Sequence, residues 1–364
     1  MSRFDIVIIG AGIAGASLAA EVAPHASVLM LEAEDQPGYH ATGRSAAFWS
    51  ETYGGPLIQP LTSASGPWLQ DHGLLTPRGE LYLARASEWG EVERMMAAFN
   101  GRVVMERWSV EQARRWLPGL SNDFAEALWM PSCTDIDVAG AHQLFLKGAR
   151  QAGAELRCGA PLERAERMGS GWRLVAGGPV IEAGVLVSAA GAWADQVAAL
   201  AGVPPIGIQP YRRTVVQLEV DPPAPADLPL VMAMDGSFYF KPEAGGRLWL
   251  SPHDETPDSP CDAAADELDV AVAIDRFEKA ARWPIRRVER RWAGLRSFAP
   301  DRLPVYGFDP LEPRFFWCAA QGGFGIQTAP AAAKMAAALL LGRQVAEIDP
   351  APYLPDRFRN GGSR

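Results

Sequence analysis

Cysteine and histidine are scarce in this sequence. The chain has four cysteines, Cys133, Cys158, Cys261 and Cys318, and five histidines among 364 residues. No two cysteines form a C-x-x-C pair, and no cysteine has histidine companions at ligand spacing. We therefore predict reduced thiols in a cytoplasmic protein, and no metal site.

Positive charge and long apolar runs are also limited. The 34 Lys and Arg residues are outnumbered by 43 Asp and Glu residues, for a formal net charge of −9. Nucleic acids and anionic membranes attract proteins first through Lys and Arg, so we expect no nucleic-acid partner. No transmembrane segment is predicted, because every long apolar stretch is interrupted by charge or proline. Glycines at 10, 12 and 15 break the first apolar run, which argues against a signal peptide.

The first thirty residues do contain a regular pattern. Phe4 to Ile9 is a β-branched apolar run, typical of a parallel strand buried on both faces. Ile13 to Val22 has helical character, and Ser27 to Leu31 returns to strand character. Parallel strands need such a crossover, so the segment predicts a βαβ unit.

The turn of this unit carries the motif Gly10-x-Gly12-x-x-Gly15, and Glu32 ends the second strand. Glycine permits a tight turn and a close approach of backbone to a pyrophosphate, which the helix N-terminus attracts. An acid in the position of Glu32 binds ribose hydroxyls. The motif predicts a dinucleotide site but leaves FAD and NAD nearly tied, and a glycine-rich turn without ligand is the weaker alternative.

Three further loops favour an extended cofactor, and so FAD over NAD. Gly38 to Ser45 combines glycine, hydroxyl and arginine residues, although alone it is equally consistent with a surface loop. Val187 to Trp193 places small residues at a strand end, where ordinary strand-to-helix packing is the alternative. Gln321 to Thr328 has three glycines before an alanine-rich helix predicted from about Pro330 to Leu341, so several N–H groups converge there.

The middle of the chain has the pattern of an antiparallel sheet. Thr214 to Val220, Ser237 to Lys241 and Arg247 to Ser251 alternate apolar and polar residues. Leu74 to Leu83 is predicted to form a hairpin with its turn at 76–79, where Pro and Gly suit a type I turn.

The predicted fold class is α/β, with a Rossmann-like FAD-binding domain and an interleaved α+β substrate domain built on an antiparallel sheet. The length of the chain suits two domains. The FAD-binding domain is predicted from residues 1–50, 130–205 and 290–364. The substrate-binding domain is predicted from residues 51–129 and 206–289.

Six segments, most of them more specific than a glycine-rich turn, suggest a family. They are GAGIAGAS from Gly10, QPGYHATGRSAA from Gln36, AAGAWAD from Ala189, SFYFKP from Ser237, WAGLRSF from Trp292 and AAQGGFGIQT from Ala319. Through them the sequence resembles, over nearly its whole length, the glycine oxidase and D-amino-acid oxidase class of flavoproteins. Within that class it is most similar to bacterial FAD-dependent D-arginine dehydrogenases.

The resemblance implies that FAD is held non-covalently by the glycine-rich segments. The predicted cofactor-binding residues are Gly10, Gly12, Ile13, Ala14, Gly15, Glu32, Ala33, Thr42, Gly43, Arg44, Ser45, Ala46, Ala190, Gly191, Trp193, Gly294, Arg296, Gly322, Gly323, Phe324, Gly325, Ile326 and Gln327.

The resemblance also implies that Arg213 and Arg296 hold the substrate carboxylate. Guanidinium groups bind a carboxylate bidentately and stay charged at any working pH. Arg212 and Arg291 are competing candidates, and a solvated basic face is the alternative for the cluster at 282–296.

Two tyrosines and two polar groups complete the implied substrate site. Tyr53 and Tyr239 match substrate-facing tyrosines that supply hydroxyl donors and ring walls, although strand alternation alone would bury Tyr239. Tyr53 precedes two glycines, which predicts a mobile lid. Gly323, through its carbonyl, and Gln327 match contacts to the substrate amine.

Glu80 and Phe48 favour different substrates. Glu80 matches an acid that faces a cationic substrate side chain, which favours basic substrates; a hydrated surface glutamate is the alternative. Phe48 stands where the relatives have a histidine near the substrate amine. Phenylalanine neither hydrogen-bonds nor accepts a proton, so amine orientation or substrate preference is expected to differ.

The implied reaction is oxidative deamination of D-amino acids with a basic or broad side-chain preference, with hydride transfer from Cα to flavin and hydrolysis of the imino acid to a 2-oxo acid and ammonia. A glycine or sarcosine oxidase-like enzyme is the nearest alternative. Trp249 stands where sarcosine oxidases carry an oxygen-activating lysine, which favours a dehydrogenase with an unspecified electron acceptor. A flavin-binding module without catalysis and an NAD-linked dehydrogenase are the remaining alternatives.

Overall fold

The computed structural model describes residues 2–359. The helices are α1 Ile13–Val22, α2 Gln59–Asp71, α3 Trp89–Phe99, α4 Val110–Trp116, α5 Val138–Gln151, α6 Ala194–Leu200, α7 Glu267–Ala280 and α8 Gly325–Leu340. The strands are β1 Ser2–Ile9, β2 Val28–Leu31, β3 Phe48–Trp49, β4 Leu75–Pro77, β5 Glu80–Arg85, β6 Glu106–Ser109, β7 Phe124–Met130, β8 Thr134–Ile136, β9 Glu155–Arg157, β10 Leu162–Met168, β11 Gly171–Ala176, β12 Ile181–Ser188, β13 Gln209–Val220, β14 Leu230–Ala233, β15 Tyr239–Glu243, β16 Arg247–Ser251, β17 Thr256–Pro257, β18 Ile285–Phe298, β19 Val305–Phe308 and β20 Phe315–Ala319.

The first sheet contains the predicted βαβ unit. Its strand order is β10-β11-β12-β1-β2-β9, with β20 beside the carboxyl-terminal end of β12 and β19 outside β20. Strands β1, β2, β9, β12 and β20 pair in parallel, and β2 is buried along its whole length. Helices α1, α5 and α8 cover one face with a continuous apolar core. The α/β prediction is confirmed.

Helix α8 begins earlier than its predicted start near Pro330. It starts at Gly325, directly after the glycine-rich loop, and Pro330 lies inside it. Proline within the second turn removes one backbone hydrogen bond without ending the helix, so placing the start at proline was wrong. Helix α1 has the predicted bounds.

The second sheet is mixed and mostly antiparallel, in the order β17-β13-β16-β15-β14-β5-β7-β6. Strands β16 and β17 pair with different stretches of β13, and β18 pairs along its whole length on the opposite edge. Strands β13, β15 and β16 confirm the three predicted antiparallel segments. The long pair β13–β18 sets Arg213 opposite Gly294 and Tyr211 opposite Arg296.

The predicted hairpin at Leu74 to Leu83 is wrong. Strand β4 pairs with β8 in a small third sheet, whereas β5 pairs with β7 and β14 in the second sheet. Between β4 and β5, the N–H groups of Arg78 and Gly79 both donate to the carbonyl of Cys133. The predicted turn at 76–79 is also wrong, because Thr76 and Pro77 remain in β4 and the next two residues lead the chain into the second sheet.

The two-domain division remains a prediction. The predicted boundary at residue 290 falls inside β18, which pairs with β13 throughout its length. Helix α2, assigned to the substrate domain, contributes Leu61 and Leu69 to the core beneath the first sheet. The last five residues of the predicted FAD-binding domain lie outside the described part of the chain. Within residues 2–359, no helix has the length and apolarity needed to cross a membrane.

Candidate active site

A cavity of about 480 Å³ runs between the two large sheets. Most residues predicted to bind a dinucleotide lie on its wall. These are Gly10, Gly12, Ile13, Ala14, Glu32, Ala33, Thr42, Arg44, Ser45, Ala46, Ala190, Gly191, Trp193, Gly294, Arg296, Gly322, Gly323, Gly325 and Ile326. Gly15, Gly43, Phe324 and Gln327 are not on the wall.

Gly15 acts behind the cavity wall. A Cβ atom at this position would lie 2.0 Å from the carbonyl oxygen of Gly10. Only glycine therefore lets helix α1 pack this closely against the turn. Gly43 is comparable, because its Cβ would lie 2.7 Å from the carbonyl oxygen of Gly38.

Side chains brace the glycine-rich turn from several elements. The carboxylate of Glu32 accepts hydrogen bonds from the N–H groups of Ala11 at 2.8 Å and Glu34 at 3.1 Å. His142, on α5, contacts the carbonyl of Ala11 through Nε2 at 2.8 Å. Burial lowers the pKa of His142, so a neutral imidazole donates this bond. Sequence reasoning missed His142, which belongs to no local motif.

Arg44 binds protein groups at the edge of the cavity. Its Nη1 donates to the carbonyls of Ala263 at 2.7 Å and Ala293 at 3.1 Å, and its Nη2 pairs with Asp262. Tyr39 also donates to Asp262, at 3.1 Å. The segment carrying Asp262 thus forms a wall of the cavity that no sequence signal indicated.

The register of β13 and β18 separates the competing arginines. Directly opposed residues share a face of a sheet, and residues two apart on one strand also share a face. Arg213, opposite Gly294, therefore lies on the same face as Arg296, and both line the cavity. Arg212 and Arg291 point to the other face, where Arg212 is near Asp258 and Asp269 and Arg291 pairs with Glu267.

Arg213 is buried and incompletely paired. Its Nε donates to the carbonyl of Asp254 at 2.8 Å, and its Nη2 lies 3.4 Å from Glu255 Oε1. Its Nη1 is buried and has no partner. Burial, together with repulsion by Arg296, lowers the pKa of Arg213. An anion at Nη1 would satisfy the unpaired donor and relieve the repulsion.

A second polar group lies beside Arg213 and consists of Arg296, Tyr53 and Gly323. Arg296 Nη1 donates to the Tyr53 hydroxyl, and a Cβ at Gly323 would lie 2.9 Å from that nitrogen and 3.0 Å from the hydroxyl oxygen. Gln327 holds this arrangement from behind, because its Nε2 donates to the Tyr53 carbonyl and its Oε1 accepts from the N–H of Ser50. Both polar atoms of the Gln327 amide therefore hydrogen-bond to protein groups, and the residue is not on the cavity wall.

Aromatic rings cluster beside Arg296, and of these Tyr239 lies on the cavity wall whereas Tyr53 and Phe48 do not. Phe48 is buried, and its ring centroid lies 5.1 Å from that of Tyr53 and 6.2 Å from that of Tyr239. His253, which sequence reasoning missed, packs edge-on against Tyr239 and contacts the carbonyl of Gly236 through Nδ1. Burial, then the positive charges of Arg213 and Arg296, lower the pKa of His253 to about 3, so this imidazole is neutral.

Glu80 lies in the protein interior. It is fully buried, Ser50 donates to its Oε2 at 2.7 Å, and its Oε1 has no partner. It lies opposite Leu230 and Met130, two members of an apolar cluster that also contains Phe48, and it is absent from the cavity wall. Burial raises the pKa of Glu80 to about 7. The alternative of a hydrated surface glutamate is wrong, because three strands enclose the residue.

The raised pKa of Glu80 predicts a pH-dependent stability. The folded-state pKa of about 7 exceeds the usual value of 4.5. The wild-type free energy of unfolding should therefore fall as pH rises between these values, and level off above the upper one. Glu80→Gln should remove this loss, so its stability relative to wild type should rise by on the order of 2 kcal/mol from pH 5 to pH 8. Urea unfolding at both pH values measures this; a pH-independent difference would contradict a buried, titrating carboxyl.

Comparisons with known proteins give the chain a context. The model of the DAO family, described as FAD dependent oxidoreductase, matches residues 5–339. A glycine oxidase of Pseudomonas aeruginosa is 27% identical, over 96% of this chain and 98% of that protein. The L-proline dehydrogenase structure from P. horikoshii has a TM-score of 0.87 at 23% identity, covering 100% of both chains, and the glycine oxidase structure from Geobacillus kaustophilus has 0.85 at 22%, covering 97% and 98%.

Several similar proteins are longer than this chain. The match to FAD-dependent oxidoreductase domain-containing protein 1 of Bos taurus, 28% identical, involves 50% of this chain and 40% of that protein. The bifunctional protein ThiO/ThiG of Synechocystis, 24% identical, is matched by 97% of this chain over 54% of its own length. The chain thus spans about half the length of these relatives.

Within residues 2–359, no group of His, Cys, Asp and Glu residues suits a metal ion.

Proposed function

The chain belongs to the DAO family of FAD dependent oxidoreductases, and from that premise we propose that it oxidatively deaminates D-amino acids with small or apolar side chains. The observation that carries the proposal is the unpaired Nη1 of Arg213 on the same sheet face as Arg296. A buried guanidinium group, Arg213, and a half-buried one, Arg296, in the same cavity favour a carboxylate ligand.

The residues of the cavity fit FAD. Glu32 directly follows β2, where an acid meets a ribose in dinucleotide folds, and it lines the cavity. Gly12, Gly191 and Gly294 leave the wall free of side chains along the cavity. The start of α8 adds N–H groups beyond Gly322. We propose that these groups hold FAD non-covalently.

The chemistry divides between cofactor and protein. When bound, FAD supplies the acceptor for a hydride from the substrate Cα. Arg213 and Arg296 would fix the substrate carboxylate, and the Tyr53 hydroxyl would add a contact, so that one orientation of Cα–H is selected. The Gly323 carbonyl is the proposed acceptor for the substrate amine. Phe48 and Tyr239 would exclude water from the reacting end.

The location of Phe48 supports a limit on side-chain size. Its ring packs beside both Tyr53 and Tyr239, and Glu80 lies opposite Leu230 and Met130, which belong to the same apolar cluster as Phe48. A cationic side chain would reach Glu80 only if Phe48 moved. We therefore propose that basic D-amino acids are poor substrates of the wild-type protein, and that Glu80 binds their cationic end only when Phe48 is displaced.

Replacement of Phe48 should change this preference. For Phe48→Ala, the ratio of kcat/KM for D-lysine to that for D-alanine should rise by about tenfold or more, because the new space opens towards Glu80. Steady-state kinetics with both substrates measures the ratio. The matched control is Phe48→Ala with Glu80→Gln, which opens the same space without the carboxylate and should lose the gain for D-lysine. An unchanged ratio in the single variant would contradict the size limit.

A glycine or sarcosine oxidase-like activity is the second candidate. It is supported by the similarity to proteins named glycine oxidase and by the space that Phe48 fills. Lys241, whose Nζ lies 5.2 Å from the ring centroid of Trp249, is paired with Asp135 at 2.8 Å and is not on the cavity wall. This arrangement gives no support to lysine-assisted reaction with oxygen, and we propose a dehydrogenase.

A substrate screen tests the proposal. Purified FAD-loaded protein is mixed with an artificial electron acceptor and with D- and L-amino acids, glycine or sarcosine, and the 2-oxo acid and ammonia are quantified. We expect both products in equal amounts from D-alanine and D-methionine, and none from the L-enantiomers. A clear preference for glycine or sarcosine would favour the second candidate, and no product from any amine would contradict both.

A further inference from the structure

Two consecutive residues hold Arg213 on the side away from the cavity. The carbonyl of Asp254 accepts from Nε at 2.8 Å, and the Glu255 carboxylate lies 3.4 Å from Nη2. The Asp254 carboxylate accepts from both the N–H and the hydroxyl of Thr214, which fixes this segment to β13. Nη1 is then the one nitrogen of Arg213 without a partner.

Glu255 is itself held by Arg302. Arg302 Nη2 lies 2.7 Å from Glu255 Oε1 and 3.0 Å from Oε2, so Oε1 is shared by two guanidinium groups. The Arg302 guanidinium carbon lies 3.9 Å from the ring centroid of Phe298. Phe298 in turn packs on the cavity-lining Gly322, where a Cβ would meet the ring at 2.3 Å. The ion pair of Glu255 and Arg302 thus connects Arg213 with Phe298, which packs on the cavity wall at Gly322.

We propose that Glu255 is a positioning residue for the carboxylate site and that Arg302 acts on the site only through Glu255. This rests on the proposed function, since it takes Arg213 as the carboxylate donor. Glu255 is absent from the cavity wall, so it does not meet the ligand. By engaging Nη2 it restricts the rotamers of a long side chain and presents Nη1 to the cavity.

Glu255 has two opposite effects on anion binding. Its negative charge weakens the binding of a carboxylate, whereas its contact with Arg213 strengthens it by fixing the guanidinium group. Removing a carboxylate beside Arg213 makes the site more positive, which by itself would tighten a carboxylate. The Glu255 and Arg302 side chains are 37% and 49% exposed, so solvent weakens this charge effect. Loss of the fixed guanidinium orientation should therefore dominate.

The test is carboxylate binding to the FAD-loaded protein. Propionate is titrated while the change in visible flavin absorbance is followed, with uncharged propionamide as the control probe. Glu255→Ala should raise the Kd for propionate by about tenfold, and Glu255→Gln by less than about threefold, because its amide oxygen still accepts from Nη2. Flavin content and thermal unfolding of each variant establish that the fold is intact.

A double-mutant cycle tests the role of Arg302. Arg302→Met keeps an apolar stem against Phe298, and Glu255→Ala/Arg302→Met should bind propionate no more weakly than Glu255→Ala. If the losses of propionate affinity in the two single variants add up in the double variant, the proposal that Arg302 acts only through Glu255 is wrong. Tighter or unchanged binding in Glu255→Ala, or equal losses in the Ala and Gln variants, would overturn the positioning role. A wild-type spectrum that responds equally to propionamide, or to neither probe, would instead contradict the carboxylate site itself.

Discussion

Replacing Arg296 with leucine should reduce kcat/KM for D-amino acids by about 1,000-fold, or about 4 kcal/mol. Arg296 lies on the cavity wall and donates to Tyr53, so leucine removes a carboxylate donor and releases the tyrosine hydroxyl. Arg296→Lys should retain part of the activity, because it keeps the charge but not the planar fork. Steady-state kinetics with D-alanine measures both effects.

Arg291→Leu is the matched control. It changes the same residue type on the same strand, but Arg291 faces away from the cavity and pairs with Glu267. An exposed pair of this kind contributes little to stability, so activity should stay near wild type. If both leucine variants lost activity equally while keeping FAD, the assignment of Arg296 to the substrate would be wrong.

Gly12→Val should abolish FAD binding without unfolding the protein. Gly12 has extended backbone dihedrals that any residue adopts, so valine introduces no backbone strain. Its Cβ would lie 3.1 Å from Thr42 Oγ1, and the branched side chain would enter the cavity where the backbone is expected to approach the pyrophosphate. The purified variant should be colourless, as measured by the visible spectrum after gel filtration.

Gly169→Val provides the control for this variant. Gly169 lies in an exposed turn between β10 and β11, and a Cβ there would meet nothing within 4 Å. This protein should be yellow, with one flavin per chain. Retention of stoichiometric flavin by Gly12→Val would place the cofactor elsewhere.

Local patterns predicted the parts of the fold that depend on neighbours in sequence. The apolar run of β1, the glycine spacing and the helix α1 lie within one short segment, and the structure reproduces them closely. The hairpin prediction failed because Thr76 and Pro77 continue strand β4 instead of forming a turn, and because both strands pair with distant segments. Strand β4 pairs with β8, and β5 pairs with β7 and β14, and no local pattern specifies these pairings.

The candidate site shows the same limit. Sequence motifs indicated Arg213 and Arg296 but left Arg212 and Arg291 open, and only the register of β13 with β18 separates them. His253 is an isolated residue whose position depends on packing against Tyr239. The burial of Glu80 results from three strands that lie far apart in the sequence.

The most direct measurement is anaerobic reduction of the bound flavin. FAD-loaded protein is mixed without oxygen with D-alanine or with L-alanine, and flavin absorbance is followed in a stopped-flow instrument. We predict complete bleaching by the D-enantiomer, none by the L-enantiomer, and a rate at least about 1,000-fold lower with D-alanine in Arg296→Leu. A flavin that no amino acid reduces, or one that Arg296→Leu reduces at the wild-type rate, would contradict amino-acid oxidation at the arginine site.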